Sequence, residues 1–147
     1  MKDSVFFTIL AGVAVFVVGQ FILKLVLEPI VSFKESLGNL SAFCLRYRAK
    51  ITNANASLEL QSELKVLIST ILSKSQSIPF YSAFAKALGL PNQDSIIEGC
   101  RLLNGISYEM VRETSQHQGK LEGPVQILTD LQRVSELLRV RLDYSEL

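Results

Sequence analysis

Catalysis needs a nucleophile beside a base, a pair of carboxylates, or a metal with an open position. The chain supplies such residues thinly. Its one histidine, His117, lies in the polar run Ser115-Gln116-His117-Gln118-Gly119-Lys120, where a lone imidazole is expected in solvent. Glu109 and Glu113 stand four apart and so share a helix face. Arg112 lies beside them, and the expected result is a solvated charged face. Cys44 and Cys100 fall within apolar helical patterns, which predicts small buried hydrophobes in a reducing compartment. Two thiols and one imidazole fall short of the roughly four ligands of a structural zinc site. The eight glycines are scattered and form no phosphate-binding loop. Arg46, Arg48 and Lys50 recur at every second position and fan around a helix. With a net charge of +1, they leave a weak nucleic-acid footprint. The sequence therefore predicts no catalytic, cofactor-binding or metal-binding residues, no enzyme and no nucleic-acid partner.

The element that dominates the chain is its N-terminus. Between Asp3 and Lys24 there is no charged residue. That window matches the roughly 20 residues needed to cross a bilayer as a helix, the form in which a lone segment satisfies its own backbone in hydrocarbon. A cleaved signal would carry a basic n-region, a shorter apolar stretch and a small-residue cleavage site. Here Lys2-Asp3 is nearly neutral, the stretch is long, and Lys24-Leu25-Val26-Leu27-Glu28-Pro29 offers no small residues. A membrane anchor over residues 1–28 is expected, with one helical domain over 29–147.

Lys and Arg near the ends of a span set its orientation. Only Lys2 precedes this one, while Lys24 and Lys34 follow within about 20 residues. The helical domain is therefore expected in the cytoplasm and the N-terminus outside. Residues 24–50 hold five basic and two acidic side chains, and residues 51–147 nine basic and eleven acidic. Lys24 and Lys34 are thus candidates for contact with anionic headgroups.

Beyond Glu28 the apolar pattern is helical throughout. Pro29 suits a first turn, so a kink or a fresh helix is expected there. Ile30, Phe33, Leu37, Leu40, Cys44, Tyr47 and Ile51 are spaced 3,4,3,4,3,4, the a/d seam of a coiled coil. This seam faces either the protein's own bundle or a second copy. Its membrane-near end, Ile30 to Leu37, is the expected site of self-association. Residues 52–56 read as a turn leading to an Asn or Ser cap. A second helix is expected over 57–77, ended by Pro79, and a short one from Phe80 to Leu88, stopped by Gly89. A third long helix follows, capped by Asn92 or Asp94, with the stripe Ile96, Ile97, Cys100, Leu103, Ile106 and Met110. The last starts at Pro124 and carries Ile127, Leu131, Val134, Leu138 and Leu142. No segment alternates as a strand would. The expected class is all-α: one transmembrane helix, then a bundle of about four long helices and one short one.

Within the span, Gly12 and Gly19 share a face, and Ser4, Thr8 and Gly12 share an overlapping one. Small residues allow close helix contact in lipid, and Gln20 offers a polar side chain for bonding between helices. The interaction surface expected from sequence is therefore Gly12, Gly19, Gln20 and the seam.

The run Phe21-Ile22-Leu23-Lys24-Leu25-Val26-Leu27-Glu28-Pro29-Ile30-Val31-Ser32-Phe33-Lys34 resembles functionally uncharacterised small bacterial inner-membrane proteins. These have one N-terminal membrane helix, the same Glu-Pro-Ile and Phe-Lys landmarks, and a helical remainder. Ile78-Pro79-Phe80-Tyr81 resembles a second landmark and Ile96 to Ser107 a third. Cys44-Leu45-Arg46-Tyr47-Arg48-Ala49 departs from the family's Tyr/Phe-Ala-Asn-rich end of the second helix. The resemblance implies a single-pass protein of the bacterial inner membrane and carries over no catalytic residue.

The function expected from these features is a non-enzymatic, membrane-anchored interaction or scaffold module. It self-associates or recruits a protein partner at the bilayer. The alternative is a membrane-perturbing effector, of pore-forming or phage-defence type, that multimerises through its span.

Overall fold

The computed structural model describes residues 2–112 and 122–144. Glu113, His117 and most of the polar loop around them lie outside the described residues. Every regular element among the described residues is a helix.

The first three elements follow one another without a break. Helix α1 (Lys2–Ile22) passes through a π turn (Leu23–Leu27) into α2 (Glu28–Arg46). From Ser4 to Arg46 this is one uninterrupted helix of 43 residues, about 65 Å long at 1.5 Å per residue. Pro29 therefore neither breaks the helix nor starts a fresh one. Its ring presses toward the carbonyl four residues back, and its missing N–H leaves that carbonyl without a donor. The π turn sits directly before it, with the Glu28 N–H bonded to the Leu23 carbonyl five residues back. The wider turn gives the ring room and lets the helix continue.

The seam was expected to run on as helix through Ile51. The structure interrupts it at Tyr47 (φ −107°, ψ 16°), and the chain resumes as a five-residue helix, α3 (Arg48–Thr52). This offset lets α3 pack on the last helix and brings the Arg48 guanidinium within 3.8 Å of Asp143.

Helix α4 (Leu58–Gln76) starts where Ser57 Oγ accepts the Leu60 N–H at 3.3 Å. It runs antiparallel to α2. Glu63 and Leu67 near its start lie beside Asn39 and Tyr47, while Lys74 near its end donates to the Ser32 carbonyl at 3.3 Å. Helix α5 (Tyr81–Leu88) stops at Gly89, whose φ of 65° needs a residue without a Cβ. Helix α6 (Gln93–Glu109) starts where Asn92 Oδ1 accepts the Ser95 N–H at 2.7 Å. Helix α7 (Glu122–Leu138) packs along α6, which also packs on α4.

The core is continuous from Ile30 to Leu142. Phe33, Leu40, Ile71, Leu103, Val134 and Leu138 are fully enclosed. Small residues let the helices approach. Ser36, Ser75 and Ser107 are buried, each satisfying its hydroxyl on the carbonyl three residues back. At Gly99 a Cβ would lie 2.9 Å from both Cγ and Cδ2 of Leu138, so α6 and α7 touch almost backbone to side chain.

Candidate functional site

The seam closes inward. Ile30, Phe33, Leu37, Leu40, Cys44 and Ile51 are buried in the protein's own core, and Tyr47 is half-buried against it. Phe33 meets the Tyr81 ring edge-on at 6.0 Å, and Phe43 meets Tyr47 at 5.2 Å. The self-association expected at the Ile30–Leu37 end thus has no free apolar surface on this face. Helices α4 and α5 occupy the position a second copy would take. A 3,4 spacing records which face is apolar, not which helix covers it.

The helix α1 is the reverse case. It is long and apolar enough to cross a membrane by length and composition, and none of its apolar window is buried in the fold. Val5, Phe7, Val15 and Phe16 are each 60–73 % exposed. Thr8 Oγ1 donates to the Ser4 carbonyl at 2.9 Å, so this hydroxyl is satisfied within its own helix. Gly12 and Gly19 have open space where a Cβ would stand. Gln20 is exposed in the same helix. The structure thus leaves Gly12, Gly19 and Gln20 on open surface while enclosing the seam. Lys24 and Lys34 are also exposed.

The residues with chemical potential are not drawn together. Arg112 holds Glu109 at 2.7 Å, and Glu113 and His117 fall outside the described residues. Burial pushes the Cys44 thiol up to about 12 and the Cys100 thiol up to about 11. Neither is a thiolate near neutral pH, so neither is nucleophilic. Burial likewise raises Tyr81 to about 12, and its hydroxyl donates to the Pro91 carbonyl at 2.6 Å. Among the described residues, no group of three or more His, Cys, Asp and Glu gathers as a metal site would require.

Two clefts were not foreseen. One, of about 510 Å³, opens between α4 and α6 beside Ile68, Leu72, Ile97 and Cys100. At its rim the Lys65 ammonium sits 4.2 Å from the centre of the Tyr108 ring, a cation–π contact. The other, of about 410 Å³, lies between α2 and the end of α7 and is lined by Lys34, Arg139 and Arg141 without a carboxylate. Arg139 takes φ 55° just past α7, the position a glycine usually fills. The Val140 N–H bonds back to the Ser135 carbonyl at 3.2 Å, and the Arg139 guanidinium donates to Gly89 O at 3.0 Å. The guanidinium thus serves the carbonyl end of α5, while the Val140 backbone closes α7. The spacing of Arg139 from Gly89 in sequence gave no sign of this pairing.

No protein-family model, curated protein or solved structure matches the chain.

Proposed function

We propose that the protein is a single-pass, membrane-anchored interaction module without enzymatic activity. Residues 1–28 anchor it, and residues 29–147 form its cytoplasmic domain. The observation that carries this reading is the contrast between α1 and all that follows. The domain encloses a continuous apolar core, while a helix with some twenty uncharged residues has none of its apolar window buried. Such a surface in water would drive aggregation, and hydrocarbon is the solvent that matches it. The near-neutral n-region and the absence of small residues from Lys24 to Pro29 favour a retained anchor over a cleaved signal. Lys24 and Lys34 favour a cytoplasmic domain, and the family resemblance favours the bacterial inner membrane. With the seam enclosed, the surface left for self-association is the span face of Gly12 and Gly19, together with the exposed amide of Gln20.

Cysteine crosslinking in membranes tests the self-association. Cys44 and Cys100 are buried, so a cysteine added to the span is the accessible thiol. Val5 lies seven residues before Gly12 and shares its face, while Leu10 points away. A Val5→Cys protein is expected to form disulfide dimers, and Leu10→Cys is not. Adding Gly12→Ile, which meets no neighbour in the fold, should suppress the Val5→Cys dimer. Equal crosslinking at both positions, or at neither, refutes self-association through this face. Collapse of the membrane potential on expression would instead favour the membrane-perturbing effector.

A further inference from the structure

We propose that the corner between α4 and α5, centred on Phe80, is a second membrane contact that seats the helical domain on the bilayer beside its anchor. The proposal rests on the anchored reading and adds a lipid-contacting surface within the domain itself.

Phe80 is 81 % exposed, the most exposed of the large hydrophobic side chains among the described residues. Its backbone lies in the left-handed region, at φ 52° and ψ 38°. That region disfavours any residue with a Cβ and is an outlier for a bulky one. The residues on either side are fixed inward. Ile78 and Tyr81 are each only 4 % exposed. The Tyr81 hydroxyl is bonded to the Pro91 carbonyl at 2.6 Å, and its ring meets Phe33 edge-on at 6.0 Å. The corner is therefore held from both sides, and its strained residue turns a phenyl ring outward. The buried neighbours hold the strained backbone in place, but the exposed ring itself gains nothing from water. A strained, exposed aromatic held by an ordered frame is a pointer to function.

The position of the corner identifies the occupant. Helix α4 descends along α2 toward the anchor, and Lys74 bonds to the Ser32 carbonyl at 3.3 Å. Ser32 lies four residues past Glu28, about 6 Å along the helix. The chain turns at Ser77 and reaches Phe80 before climbing again as α5 beside Phe33. The apolar surface of the long helix extends down to the same level. Leu25, Leu27 and Val31 are 54 %, 46 % and 54 % exposed, and Lys24 just before them has the reach to raise its ammonium to the headgroups. Phe80 thus lies near the level of Ser32 and Phe33, just past the end of the anchor, where an apolar side chain can enter the boundary between headgroups and acyl chains. The surface it meets is lipid, at the boundary between headgroups and acyl chains.

The chain contains no tryptophan, so single substitutions give unambiguous fluorescence reporters. The full-length protein is reconstituted in phosphatidylcholine–phosphatidylglycerol vesicles, with and without bromine on the acyl chains. Three variants are compared: Phe80→Trp, Val15→Trp in the middle of α1, and Val66→Trp on the exposed side of α4. All three side chains are at least 60 % exposed, so none disturbs the core. Val15→Trp is expected to be strongly quenched by bromine, and Phe80→Trp to be blue-shifted and quenched. Val66→Trp should emit as in water and remain unquenched. If Phe80→Trp behaves like Val66→Trp while Val15→Trp is quenched, this inference is wrong and the anchor stands. An unquenched Val15→Trp overturns the anchor and this inference with it. Blue-shifted emission from Phe80→Trp that bromine does not quench means protein covers the corner, and overturns the lipid assignment.

Discussion

Gly99 and Gly105 lie six residues apart on α6, and the structure assigns opposite outcomes to the same substitution at each. In a helix interior, alanine is favoured over glycine by about 0.8–1 kcal/mol. At Gly105 nothing lies within 4 Å of a new Cβ, so that gain is realised in full. At Gly99 the Cβ would stand 2.9 Å from Leu138 Cγ and Cδ2. The Cγ atom is only two bonds from the backbone, and Leu138 is fully enclosed at the end of α7. The side chain cannot swing aside, and overpacking of this kind costs about 1–3 kcal/mol. The propensity gain is common to both sites, so the difference between the variants isolates the contact, about 1–3 kcal/mol. For a domain of this size each kcal/mol moves Tm by about 4 °C. Gly105→Ala should raise Tm by about 4 °C, and Gly99→Ala should melt about 4–12 °C below it. The assay uses the native thiols. Cys44 and Cys100 are 2 % and 4 % exposed, so a fluorogenic maleimide reports their release as the detergent-solubilised protein is heated. If Gly99→Ala melts as high as Gly105→Ala, the α6–α7 contact is not as close as described, and the argument for it fails.

Other perturbations discriminate further parts of the account. Leu37→Asp places a charge at a core position only 6 % exposed. It should unfold the helical domain, seen as protease sensitivity at 25 °C, rather than yield a folded monomer. Asn92→Ala removes the side-chain cap of α6 and should cost about 1 kcal/mol by the same melting assay, more than Gln93→Ala on the exposed first turn. Cys44, Cys100 and Tyr81 all have raised values in the folded state, so their neutral forms favour the fold. Their contribution is complete below pH 9 and is lost as the pH climbs through 11 to 12. Melting temperature should therefore be insensitive to these groups from pH 6 to 8 and fall above pH 9.

The start and stop signals were the legible part of this fold. Ser57, Asn92 and Gly89 act through bonds or dihedrals within three or four residues of themselves, so local sequence suffices to read them. The apolar stripes were legible for the same reason, because a helix face is a local property. Partnership is not local. The seam from Ile30 to Ile51 reads identically whether it meets α4 and α5 or a second copy, and only the three-dimensional arrangement encloses it. The break at Tyr47 and the left-handed Arg139 were hidden because each answers a constraint from elsewhere in the chain, whereas the π turn is one of two local answers to Pro29, a kink being the other. Gly12, Gly19 and Gln20 were legible as a candidate surface from spacing alone. Phe80 was not, since its reading as a helix residue gave no hint of a strained, outward-facing ring.

Carbonate extraction shows whether α1 is a retained membrane anchor. Membranes from bacteria expressing the chain are washed with alkaline carbonate, which strips peripheral proteins, and the mass of the protein left in the pellet is determined. The account predicts that the protein stays in the pellet at the mass of the full 147-residue chain. Recovery in the wash, or a mass reduced by loss of the first twenty or so residues, would contradict it.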